Sequence, residues 1–175
     1  DAASNNPTLK NVEAMSTISF VDGAQANKLT LESVTLGGVV TVDTPSVTTA
    51  DNTLELRGLI NAQSNQLVIT ASEGILNVSG GTLSNASVSG LTTIISGPGA
   101  TLSNVELTGD LTVKAGVPAT LSNVTFINSD ANRTLTAEAD AVVTLATELL
   151  ADLGTGSLVI TGPGEVSGQE NITGA

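Results

Sequence analysis

The four residues Thr82-Leu83-Ser84-Asn85 return as Thr101-Leu102-Ser103-Asn104 and again as Thr120-Leu121-Ser122-Asn123, each copy nineteen residues after the last. A period near twenty is too short for a helical hairpin and too long for one strand and its turn. It fits one circuit of a parallel β-solenoid, where each repeat buries its apolar face only by stacking on its neighbours. Three aligned positions are apolar: Leu83, Leu102 and Leu121; then Ala86, Val105 and Val124; then Val88, Leu107 and Phe126. Ser87, Glu106 and Thr125 separate the last two sets, the alternation of a strand with one apolar and one polar face. The predicted core therefore holds one stack of Leu83, Leu102 and Leu121 and a second of Val88, Leu107 and Phe126. The Ser-Asn pair breaks the alternation. Because Asn enters the left-handed backbone region more readily than most residues, Asn85, Asn104 and Asn123 are predicted to bend the chain between two strands of one coil. Stacked at the bend, they form a ladder of side chains shielded from solvent.

The pattern extends in both directions. A second strand follows the first two copies, carrying Thr92 and Ile94 in one and Leu111 and Val113 in the other, before turns at 97–99 and 116–118. Thr8-Leu9-Lys10-Asn11, Thr30-Leu31-Glu32-Ser33 and Thr53-Leu54-Glu55 read as further coil starts. The expected fold is all-β, a single-stranded parallel β-solenoid of roughly eight coils in a rod near 40 Å long. No shift in composition divides it, so residues 8–175 form one solenoid domain behind a polar N-terminal arm, residues 1–7.

Two periods compete over residues 135–153. Leu135, Ala137, Ala139, Ala141, Val143 and Leu145 alternate like a strand, whereas Leu145, Leu149, Leu150 and Leu153 stand at helical spacing ahead of Gly154. We read strand over 134–145 and a short helical turn over 147–153, placed to cap the C-terminal coil against an open edge.

Composition narrows the function. The chain has no Cys, His, Trp or Tyr, and Phe20 and Phe126 are its aromatic residues. Disulfides and thiolate metal sites are excluded, and stability falls to stacked Leu, Val and Ile, each contributing roughly 1.5–3 kcal/mol on burial. A net charge of −12 with five basic residues argues against nucleic acid as a partner, since phosphate binding is dominated by Lys and Arg. No apolar run approaches the roughly 20 residues of a membrane span. A start at Asp1 reads as a processed product or an excised domain, and the expected location is extracellular, at a cell or virion surface.

The recurring Thr-Leu-Ser-Asn start, strand and Gly turn resemble the pectin-lyase-like right-handed parallel β-helices of secreted adhesins, surface-layer proteins and phage tails. Leu83, Asn85, Leu102, Asn104, Leu121 and Asn123 carry the resemblance, which is strong over residues 82–128. It implies a right-handed coil and a stacked-asparagine ladder. Enzymes of that fold act on acidic polysaccharides, so the resemblance also implies a catalytic reading. Without His there is no nucleophile–histidine pair. The nearest acid groupings are Asp43, Asp51 and Glu55, and Glu138 with Asp140, but none forms a glycosidase motif. A lyase needs Arg57, Lys114 or Arg133 beside a carboxylate cluster, which the sequence does not bring together. Neither a phosphate loop nor an EF-hand or glycine-rich calcium roll is present; calcium at subunit contacts is the one cofactor the seventeen acids suggest. Short Thr-x-Thr pieces such as Thr134-Leu135-Thr136 do not recur as an ice-binding array. Of the Asn-x-Ser/Thr sequons, Asn132 and Asn171 are the glycosylation candidates, Asn85 and Asn123 being assigned to the ladder.

The function expected is therefore noncatalytic: a structural subunit of a filament, surface layer or adhesive appendage, with identical chains as partners. A phage tail-fibre or capsid-attached module and a polysaccharide-active enzyme are the alternatives.

Overall fold

The computed structural model describes residues 6–21, 28–43, 52–70, 74–89, 92–127, 131–168 and 172–174, and within these the chain is all-β. Strands run in order as β1 (Thr8–Lys10), β2 (Glu13–Ala14), β3 (Ile18–Val21), β4 (Lys28–Leu36), β5 (Val40–Asp43), β6 (Thr53–Thr70), β7 (Ile75–Val78), β8 (Thr82–Ser89) and β9 (Thr92–Ile95). They continue as β10 (Ala100–Leu107), β11 (Asp110–Val113), β12 (Pro118–Ile127), β13 (Arg133–Ala137), β14 (Val142–Leu145), β15 (Leu149–Asp152), β16 (Leu158–Thr161), β17 (Glu165–Ser167) and β18 (Ile172–Gly174). Every pairing is parallel, between one turn and the next. This is a parallel β-solenoid.

Each turn has three faces. The first is built by β1, the start of β4 and of β6, then β7, β9, β11, β13 and β16. The second runs through Val34, Ile60, Leu83, Leu102, Leu121 and Leu145 in register. The third runs through Val40, Leu67, Val88, Leu107, Phe126 and Ala151. Those two inward columns and the first-face column Leu29, Leu54, Leu76, Thr93, Leu111 and Leu135 are buried along the rod. Strand spacing of about 4.8 Å sets like residue on like residue, which is why apolar identity at a fixed interval fills the interior.

About six turns enclose this fully buried core. The first and last, built by β1 to β3 and by β16 to β18, have inward residues such as Leu9, Phe20, Ile160 and Val166 only half-buried against it, and the expected figure of roughly eight coils includes them.

Four expectations are corrected. The segment 147–153 is not helical: β15 pairs with Val124–Ile127 of β12, burying Leu149, Ala151 and Leu153. The ladder overrides the local helix preference, and the leucines at helical spacing instead fall on successive faces. The strand read over 134–145 is two, β13 and β14, parted by a turn in which Asp140 has φ 59°. In β9, Thr93 and Ile95 face inward over Leu111 and Val113, leaving Thr92 and Ile94 outside. The starts at Thr8, Thr30 and Thr53 belong to the first face, Leu9 and Leu56 both pairing with Leu31, not to the face of Leu83. Asn11 and Ser33, both at φ 53°, repeat the same local device at a different corner, so the motif recurs without the phase.

Candidate functional site

Side-chain chemistry outside the core collects in three places. The first is the bend between the second and third faces. Asn85, Asn104 and Asn123 have φ of 54°, 54° and 53°, the left-handed value a bend within a continuous strand requires. Asn85 Nδ2 donates to Asn61 Oδ1 (3.2 Å), Asn104 Nδ2 to Asn85 Oδ1 (3.1 Å) and Asn123 Nδ2 to Asn104 Oδ1 (2.9 Å). The row ends where Thr147 Oγ1 accepts the Asn123 backbone N–H at 2.7 Å. It is not shielded: Asn104 and Asn123 are exposed and Asn85 is half-buried. In the αL conformation the side chain lies on the convex side of the bend, so the amides satisfy one another at the surface rather than inside.

Asn85 and Asn104 each use one amide N–H and accept one bond at Oδ1 within the row, and Asn123 uses one N–H, which leaves further amide capacity facing solvent. Beside the ladder lies an open groove of about 230 Å3, with Ser87, Glu106 and Thr125 on its other wall. Its lining is neutral apart from Glu106.

The second place is an ion-pair cluster on the first face. Glu55 points outward between the inward Leu54 and Leu56, yet its side chain is only 4% exposed. Arg57 donates to Glu55 Oε1 through Nε (2.8 Å) and Nη2 (2.6 Å), Ser79 Oγ donates to the same oxygen at 3.0 Å, and Lys28 Nζ pairs with Oε2. Burial pushes the carboxyl pKa up, but the hydrogen bonds from Lys28, Arg57 and Ser79 outweigh it and hold the group below its ordinary value. A depressed folded-state pKa contributes stability above the unfolded value of about 4.3, and that stability is lost as pH falls through the folded value. Glu55→Gln is therefore expected to cost roughly 1–2 kcal/mol at neutral pH. This is less than a fully buried pair, since Lys28 and Arg57 remain 40% and 52% exposed. The variant is also expected to flatten the loss of stability below about pH 4; urea midpoints between pH 3 and 7 measure both.

The third place repeats this on a smaller scale. Lys114 Nζ donates to Glu138 Oε1 at 2.7 Å and Ala115 N–H to Oε2 at 3.2 Å. The Lys114 bond outweighs desolvation and lowers the Glu138 pKa.

Of the acids grouped in the sequence, two are engaged by cations. Glu55 is clasped by cations, Asp43 ends β5, Asp51 lies outside the described residues, and Glu138 turns to Lys114 while Asp140 occupies the turn beyond. Among the described residues no three acids gather to hold a metal ion, and no helix is long and apolar enough to cross a membrane. Asn132 is exposed and its Oδ1 accepts the Ser157 N–H at 3.0 Å; Asn171 and residues 1–5 of the arm lie outside the described residues. Sequence reasoning missed the Glu55 cluster, although Glu55 and Arg57, two apart on a strand, necessarily share a face.

Comparison of the chain with protein-family profiles, with characterised proteins and with solved structures gave no match.

Proposed function

We propose that the chain is a noncatalytic structural module of an extracellular surface assembly and acts by joining identical copies end to end. The observation that supports this is the pair of end turns, whose outer strand edges have no ladder partner among the described residues. Among the described residues β1, β2 and β3 pair only with the turn above, and β16, β17 and β18 only with the turn below. Each end thus offers three parallel strand edges and half-buried apolar residues, Leu9, Ile18 and Phe20 at one end and Leu158, Ile160 and Val166 at the other. Unpaired edges of this kind are templates for another strand. An N-terminal edge and a C-terminal edge are complementary in a parallel ladder, so the contact is head to tail and grows without closing. The likeness to pectin-lyase-like β-helices of adhesins and surface layers belongs to this proposal. So does a right-handed coil, the hand nearly all parallel crossovers take.

Copies carrying −12 each repel, and salt screens that repulsion. Light scattering across a sodium chloride and calcium series is expected to show mass rising with ionic strength, with calcium acting at lower concentration than sodium if carboxylates meet at the contact. A constant monomer mass throughout would refute end-to-end association.

A further inference from the structure

The three faces divide the chain's charge unequally. All five basic residues, Lys10, Lys28, Arg57, Lys114 and Arg133, lie on or immediately beside first-face strands, and the ion pairs Lys10–Glu32, Lys28–Glu55, Arg57–Glu55 and Lys114–Glu138 are there. The third-face strands carry Asp43, Glu106 and Asp152 with no cation. The second-face strand segments, from Val34 in β4 to Leu145 in β14, carry no charged residue. Their outward positions instead form a register-matched lattice. One column runs Leu59, Thr82, Thr101, Thr120 and Thr144; the next runs Asn61, Ser84, Ser103 and Ser122.

A second, independent feature marks the same strip. Among the described residues five large hydrophobic residues are exposed: Val12 and Met15 in the first turn, Val159 in the last, and between the end turns Leu59 (61%) and Val142 (40%). Both mid-rod residues stand on this face, Leu59 in register with Thr82 and Val142 between Pro118 and Glu165, while Glu13 and Glu165 place a carboxylate at each end of the uncharged stretch.

We infer that the second face is a lateral contact surface whose partner is the same face of a second copy. Electrostatics selects the partner. Contact through the first face must desolvate its ion pairs and contact through the third brings carboxylates together, whereas contact through the mid-rod part of the second buries hydroxyls and two apolar anchors and leaves Glu165, beside Val142, at its edge. β-Branched threonines, stiff at χ1, keep the strip regular. A two-fold axis through its centre suits the pattern: Thr101 is the middle level from Leu59 to Thr144, so it meets its counterpart and Leu59 lies opposite the level of Val142. Strand spacing and rise make the five-level strip about 24 Å by 16 Å. Two facing strips bury about 800 Å2, below the roughly 1,000 Å2 of a stable specific interface. The contact is weak alone and gains through avidity when copies are already joined end to end.

The chain has no cysteine, so single-cysteine variants report the contact directly. Thr101→Cys on the second face is compared with Thr112→Cys on the first and Thr125→Cys on the third, using a short bifunctional thiol reagent on the full chain at raised salt. The expected result is a several-fold higher dimer yield for Thr101→Cys. Adding Leu59→Asp and Val142→Asp should return that yield to the level of the other two, with circular dichroism reporting whether the fold is retained. Equal yields from the three single variants overturn the lateral face, and if scattering still grows with salt the end-to-end reading survives alone. Preferential cross-linking at position 101 without growth in scattering overturns the end-to-end reading and leaves the face.

Discussion

Leu102→Ala is expected to lower stability by roughly 2–5 kcal/mol, the range for truncating a leucine that cannot be replaced by collapse of its surroundings. Leu102 is fully buried and sits between Leu83 and Leu121 in the ladder, so the missing atoms leave a gap facing two neighbours of the same kind. Stability in a stacked array is the sum of each coil and its contacts with the next, and a void at a middle level weakens two such contacts at once. Urea denaturation followed by circular dichroism measures the loss. A change below about 1 kcal/mol would mean that the column is not packed as described.

Gly81→Ala is expected to cost about 2–4 kcal/mol, combining left-handed strain of about 1–2 kcal/mol with displacement of a neighbouring turn. Gly81 has φ 85°, and a Cβ placed on it would overlap the Gly58 carbonyl of the turn below. That carbonyl is backbone and has no rotamer in which to retreat. Gly99 provides the comparison, since its φ is 71° but its Cβ would meet nothing within 4 Å. Gly99→Ala should therefore show the strain alone, about 1–2 kcal/mol. Equal losses in the two variants would remove the close approach of turns from the explanation.

The difference between these glycines was not legible in the sequence, where both are simply turn residues. What was legible follows from period. A nineteen-residue interval with leucine retained sets Leu83, Leu102 and Leu121 at one place in three successive coils, and asparagine retained two residues later sets the bend. Phase was harder to read. Thr-Leu-x-Asn and Thr-Leu-x-Ser describe an inward leucine two residues before a left-handed bend, and a triangular coil has more than one corner at which that is needed. Thr8 and Thr30 therefore matched the motif while lying on another face. The segment 147–153 shows the second limit: its leucines fit a helix locally, and only the waiting edge of β12 selects a strand.

The ladder's exposure and the Glu55 cluster mark a third limit. Alternation tells which residues point outward, but not which outward residues meet. Lys28 reaches Glu55 from the turn below and Ser79 from the turn above, contacts that exist only once the register is known. Charge segregation arises in the same way, since five cations scattered through the sequence collect on one face only after coiling.

Electron microscopy of the purified chain at low and raised salt tests the proposed mode of action most directly. The eight first-face levels from β1 to β16 span about 35 Å at the spacing of paired strands. Head-to-tail joining predicts unbranched rods at raised salt whose lengths are multiples of that unit, lying side by side in pairs where the second faces meet. Particles that stay a single unit long at every ionic strength would contradict function through end-to-end assembly.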